Sequence, residues 1–200
     1  MAKLYFRYGA MNSGKSTILL QTAHNYEERG MKVIVVKPSK DLKADGCVES
    51  RLGATREVDI LLYCNDNIFE IVKNNYNDVN CILVDEGQFL EPFQVDELMK
   101  ITVYLNIPVI CYGLRTDFKT NGFPGSIRLL ELAHAIEEMK TICRCGRKAM
   151  FNARFVNGKI AINGDQVAID GFDSVTYESM CPSCYYKTID DLNTKVKKLK

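Results

Sequence analysis

The chain has 200 residues, 46% of them hydrophobic and 26% charged, with a formal net charge of +1. A chain this long buries roughly 70% of its unfolded surface and needs no staple to fold. Near-neutral charge gives no general attraction to nucleic acid or an anionic membrane. No apolar run approaches the length of about 18 residues that a membrane span needs. The opening "MAKLYFRYGAMNSGKS" lacks the apolar stretch and small-residue cleavage site of a secretory signal, so the expected location is the cytoplasm. Eight cysteines in such a chain read as reduced thiols with some metal ligation rather than as a disulfide scaffold.

In chain order, "LYFRY" (4–8) predicts a strand, and Gly9-Ala10-Met11-Asn12-Ser13-Gly14-Lys15-Ser16 follows it directly. These eight residues fit G-x-x-x-x-G-K-[ST], and a helical pattern runs on over 15–30. Strand, glycine-rich turn and helix start together make an anion nest of backbone N–H groups. Lys15 would reach the β- and γ-phosphates of a nucleotide, and the Ser16 hydroxyl would ligate Mg²⁺. "KVIVVK" (32–37) predicts a second strand, 66–75 a helix, and "CILVD" (81–85) a third strand. Asp85 at the end of that strand fits the carboxylate that holds magnesium in P-loop proteins. Glu86 follows it and suits a general base for an attacking hydroxyl. A helix over 92–104, a strand over 108–114 and a helix over 126–139 complete the alternation, which argues for βαβ units around a parallel sheet. Cys81 and Cys111 lie in these apolar runs and read as small buried hydrophobes. His24 and His134 fall on helical stretches and read as solvated or packed polar groups.

The last third changes character. "AMFNARFV" and "KIAI" flank an Asn-Gly turn, a strong hairpin signal. Cysteine pairs bracket the hairpin, Cys143-x-Cys145 before it and Cys181-x-x-Cys184 after it. The second pair has the spacing of half a tetrahedral zinc site. The first is one residue tighter, which leaves two readings open. Either four thiolates hold one zinc ion, or Cys143 is a buried helix-end residue and three cysteines bind with another ligand. A zinc clip would be structural and would reduce the entropy of the loop between its ends. The expected organisation is a P-loop α/β domain over 1–140, a zinc-bearing hairpin and lasso over 141–190, and a charged tail over 191–200.

"GAMNSGKST", "DEGQF", "GLRTDF" and the two cysteine pairs, in this order, resemble the cytosolic-type thymidine kinase family over about residues 3–187. The resemblance implies a RecA-like P-loop core with a small zinc-bearing β-hairpin and lasso element. It also implies ATP-dependent phosphorylation of the 5′-hydroxyl of thymidine, a homotetramer, and inhibition by thymidine triphosphate. Nucleic acid and membranes are not expected partners. Carried over by motif, Glu86 is the catalytic base, while Gly9 to Ser16, Asp41, Lys43, Asp85 and Gln88 fall on the ATP contacts. Phe118 matches the aromatic residue against the thymine ring, and Arg154 and Tyr177 match site-bordering residues. Ile169, Asp170, Gly171, Phe172 and Asp173 match the backbone that approaches the thymine edge. Three departures stand out. Lys43 replaces a more usual arginine and loses its planar fork. Arg115 stands where many members have aspartate, and the interval before Tyr177 is about two residues longer. The competing reading is a nucleic-acid-dependent P-loop ATPase with a zinc ribbon.

Overall fold

The computed structural model describes residues 1–40, 46–166 and 175–198, without the side chains at 193 and 195–198. Asp41, Lys43 and the Ile169 to Asp173 segment therefore lie outside the described residues. The chain divides into two compact units. The first holds 1–8, 14–115 and 123–139; the second holds 9–13, 116–122 and 140–200.

The first unit contains β1 (Leu4–Tyr8), β2 (Lys32–Pro38), β3 (Cys47–Glu49), β4 (Thr55–Glu57), β5 (Ile60–Leu62), β6 (Val79–Val84), β7 (Val109–Gly113) and β8 (Ala135–Glu138). Its helices are α1 (Lys15–Glu27), α2 (Ile68–Asn75), α3 (Pro92–Lys100) and α4 (Pro124–Leu132). Six strands form one parallel sheet in the order β5-β2-β6-β7-β1-β8, while β3 and β4 pair antiparallel. Side chains alternate along each strand. Ile34, Val36, Ile82, Val84, Val109 and Cys111 enter one apolar cluster with residues of α2, α3 and α4. Val33, Val35, Cys81, Leu83, Ile110 and Tyr112 enter another with Leu19 and Ala23 of α1. Both faces of the sheet are thus covered, which is why its strands read as unbroken apolar runs. Helix starts follow local chemistry. The Asn67 side chain accepts from the Glu70 N–H at 2.9 Å at α2, and Pro92 sits at the first position of α3 behind a Glu91–Gln94 capping box.

The helix expected over 126–139 is corrected. It stops at Leu132, Ala133 leaves the helical region, and the chain returns as β8 beside β1. Helix-forming composition loses here to the unpaired edge of β1, whose backbone groups need partners. His134 is correspondingly not helical; its Nδ1 accepts the Leu4 N–H at 3.0 Å. The short strands β3, β4 and β5 carry too few residues to show a period. Beyond α3, the helix expected to residue 104 continues as one wider π turn, Ile101–Leu105.

The second unit holds the antiparallel pair β9 (Thr141–Ile142) and β10 (Lys148–Ala149). It also holds a three-stranded sheet in the order β12 (Lys159–Ile160), β11 (Phe151–Val156), β13 (Val175–Met180). The Asn157-Gly158 turn has positive φ at both residues, as its sequence predicts. α5 (Pro182–Lys198) begins inside the second cysteine pair and carries residues 191–198 of the charged tail in the same helix. Tyr185, Ile189 and Leu192 give it one apolar face against Cys143, Ala149, Ala153, Ile160 and Met180.

Two glycines let the turn after β6 lie close to its neighbours. A Cβ on Gly125 would stand 2.5 Å from the Leu90 carbonyl oxygen and 2.8 Å from that of Gly87. One on Gly113 would meet Gln88 Oε1 at 2.8 Å. Gly125→Ala is expected to destabilise the protein by about 1–3 kcal/mol, as overpacking of a tight contact does. The check is a lower urea midpoint at unchanged slope; an unchanged midpoint would show that the contact yields freely.

Candidate active site and cysteine cluster

In the first unit the chemistry gathers at the ends of β6 and β7 and the start of α1. The Asp85 N–H donates to the Val36 carbonyl at 3.0 Å, so Asp85 extends the sheet by one residue and is buried there. Glu86 then turns the chain with φ 50° and ψ 41°, a left-handed conformation that costs a glutamate of order 1–2 kcal/mol. Gln88 is buried and fixed: its Oε1 accepts the Leu114 N–H at 2.9 Å. The amide can then present only Nε2 to its other side, where it donates to the Glu86 carboxylate. Lys15 opens α1. Burial pushes its ammonium below the ordinary lysine value, the Glu86 and Asp85 carboxylates push it back up, and Arg51 lowers it further. Gly14 before it has φ 78°, a conformation that glycine adopts without strain. Arg115, whose role the sequence leaves open, places its guanidinium 5.5 Å from the centroid of the Tyr8 ring.

In the second unit two groups of site residues meet separate supports. Gly9 and Ala10 are buried, and Asn12 has φ 63°. The Met11 N–H donates to Asn152 Oδ1 at 2.7 Å, and the Ser179 hydroxyl donates to the Met11 carbonyl. Asn152 and Ser179 are register partners across β11 and β13, so one rung of that ladder holds both polar groups of Met11. Thr141 Oγ1 adds a bond to the Asn12 carbonyl at 3.2 Å.

Phe118 is 2% exposed, and the Arg154 guanidinium carbon lies 3.7 Å from its ring centroid. Arg154 is itself 4% exposed. Its Nε donates to the Tyr177 hydroxyl at 2.9 Å and its Nη2 to the Gln166 carbonyl at 3.0 Å. A buried guanidinium is tolerated when rings and oxygens replace its water. The structure therefore brings Phe118, Arg154 and Tyr177 together. Asp117 shapes the loop beneath: Oδ1 accepts the N–H groups of Lys119 at 2.8 Å and Asn121 at 2.9 Å. Gln166 Nε2 reaches Asp117 Oδ2 at 3.3 Å.

Cys143, Cys145, Cys181 and Cys184 place all four Sγ atoms within 4.8 Å of one another. Cys143 follows β9 in a tight hairpin rather than ending a helix, with its N–H bonded to the Arg147 carbonyl and the Gly146 N–H to its own, both at 2.8 Å. Burial would raise the Cys143 thiol, but N–H groups of Cys145 and Cys181 and the neighbouring thiols outweigh it and hold the group at about 7. The Cys184 N–H, at 3.5 Å, leads the causes that lower Cys181. Cys184 shares hydrogen bonds with Cys145, Cys181 and Cys143 and is pushed up to about 12. Zinc–sulfur bonds of about 2.3 Å in a tetrahedron put sulfurs about 3.8 Å apart. Cys145 and Cys181 already stand 3.6 Å apart, so the donor set fits a closed structural zinc site.

A sequence model described as thymidine kinase matches residues 2–185. A thymidine kinase of Chromobacterium violaceum is 46% identical over 188 residues, which cover 93% of this chain and 99% of that one. One of Shewanella oneidensis is 46% identical over 195 residues, 96% and 100% of the two chains, and one of Ruegeria pomeroyi 43% over 199, 98% and 99%. The chain belongs to the thymidine kinase family.

Several supports in this thymidine kinase family member carry no signal in the sequence. Asn152 and Ser179 look like polar positions of a half-exposed hairpin. Gln166 is one more polar residue before Tyr177. Only their partners in the fold reveal them. Purified protein is expected to carry about one zinc per chain by elemental analysis, with Cys145→Ser retaining much less after dialysis against a chelator. Equal retention by the two proteins would remove Cys145 from the ligand set.

Proposed function

We propose that the protein transfers the γ-phosphoryl group of ATP to the 5′-hydroxyl of thymidine, giving dTMP and ADP. The observation that supports the catalytic assignment most directly is Glu86, strained into a left-handed turn with its carboxylate held by Gln88. Strain of this kind persists where the surrounding structure over-determines it, and it clusters at reacting groups. In this reading Glu86 accepts the proton of the 5′-hydroxyl as the oxygen attacks phosphorus. Gln88, whose motif position falls on the ATP contacts, also keeps the carboxylate aimed. Lys15 meets the β- and γ-phosphates, whose negative charge favours the ammonium that burial disfavours. The backbone of Gly9 to Ser16 cradles the phosphates. The Ser16 hydroxyl and Asp85 carboxylate would hold Mg²⁺, which supplies neutralisation of phosphate charge.

Phe118 serves as the plate for the thymine ring, and Tyr177 borders the nucleoside, with Arg154 between them. Aromatic contact of this kind gives affinity with little ring selectivity. Four cysteines hold a structural zinc ion. A homotetramer, inhibition by thymidine triphosphate and a cytoplasmic place in DNA-precursor supply complete the reading. None of the described helices is long and apolar enough to cross a membrane. The competing reading, a polynucleotide-dependent ATPase, does not account for the family match over residues 2–185.

The test is simultaneous measurement of ADP and dTMP with thymidine. Glu86→Gln should lower kcat by about 10²–10⁴-fold, the usual contribution of a positioned base, while the KM for ATP stays within about twofold. Full activity in the variant would remove Glu86 as the base. Wild-type protein that ignores thymidine but hydrolyses ATP with single-stranded polynucleotide would replace the kinase reading altogether.

A further inference from the structure

The cysteine cluster and the aromatic plate are joined by one residue with no assigned role. Tyr185 follows Cys184 in the first turn of α5, and its N–H donates to the Cys181 carbonyl at 3.0 Å. Its backbone is thus set by the cluster. Its ring is 5% exposed and packs edge-on against Phe151, with centroids 5.1 Å apart, and against Tyr186 at 5.5 Å. That packing leaves the phenol one direction to point. The hydroxyl donates to the Phe118 carbonyl at 2.6 Å, across 67 residues of sequence.

The loop that receives this bond is held at other points too. The Asp117 N–H donates to the Asn121 carbonyl at 2.8 Å, and the Asp117 side chain accepts two further N–H groups of the loop. Thr120 sits at φ 68°, a left-handed conformation that a β-branched residue adopts only under constraint. Arg154 lies on the ring of Phe118. Asp117 governs the loop's turn and Arg154 one face of the ring, while Tyr185 grips the main chain of Phe118 itself.

We propose that Tyr185 is a positioning residue for nucleoside binding: its hydroxyl fixes Phe118, the plate for the base, to the helix that starts in the cysteine cluster. The proposal rests on the reading of Phe118 as that plate. It gives the cluster a task in a chain whose length does not require a staple. Through Tyr185 the start of α5 sets the place of Phe118, and an error there is passed to the base.

Tyr185→Phe keeps the ring and its packing and deletes only the tie. In the full-length protein it should raise the KM for thymidine by about five- to tenfold, the scale of one lost buried hydrogen bond. The KM for ATP and the zinc content should stay at wild-type values. Phe118→Ala should raise the thymidine KM by itself, and adding Tyr185→Phe to it should change nothing more, because the residue being positioned is gone. A thymidine KM unchanged in Tyr185→Phe but raised in Phe118→Ala overturns the positioning role and leaves the plate. An unchanged KM in Phe118→Ala removes the plate, and the proposal with it. Equal rises in both substrates' KM values, or loss of zinc, assign Tyr185 a structural role alone and overturn the proposal.

Discussion

The turn at residues 86–90 is the constraint on which the rest of the first unit depends. Its conformation is unfavourable in isolation, since glutamate gains nothing from a left-handed backbone. It is held from outside, by the Gln88 amide locked on the Leu114 N–H and by the absence of side chains at Gly113 and Gly125. A parallel sheet supplies these supports naturally. β6 and β7 end side by side, so the turn after β6 can bond the residue after β7. The carboxylate at the tip is then carried by two strands and a helix start rather than by a free loop. Preorganisation of this kind matters most for phosphoryl transfer, where the protein contributes positioning and charge more than covalent chemistry.

The second unit solves a different problem with different means. Its apolar cluster is small, and much of its order comes from polar side chains gripping main chain: Asn152 and Ser179 on Met11, Asp117 on its own loop, Arg154 on Gln166, Tyr185 on Phe118. Each is a directional bond with one geometry, whereas an apolar contact of similar energy tolerates sliding. A small unit with little apolar area to bury gains more from direction than from area. Arg154 shows the trade most clearly. A buried cation is costly, and the cost is offset by two aromatic rings, a hydroxyl and a carbonyl.

What the sequence discloses follows from the range of each signal. The glycine-rich loop, the β6 carboxylates and the Asn-Gly hairpin are local patterns whose chemistry is complete within about ten residues, and each stands in the structure where its pattern places it. The resemblance to thymidine kinases rests on the same local motifs, and the family match carries it across residues 2–185. The signals that fail are relational. β8 reads as helix from its composition, and only the open edge of β1 makes it a strand. The hold of Gln88 on Glu86 is not legible at all, because it depends on Leu114, 26 residues away. The hydroxyl of Tyr185 has no sequence signal, since its partner Phe118 lies 67 residues away.

The tight Cys143-x-Cys145 pair illustrates the same division. From spacing alone, one residue between two cysteines leaves few backbone N–H groups to turn inward, and a four-thiol site competes with a three-thiol one. In the fold, Gly146 at φ 82° closes the hairpin immediately after the pair, and N–H groups of Cys145 and of Cys181, from the opposite pair, both lower Cys143. The donors missing from the short loop are supplied across the cluster. A compact knuckle is therefore compatible with four thiolates because the second pair completes it. The two pairs specify each other, and the start of α5 is fixed by both.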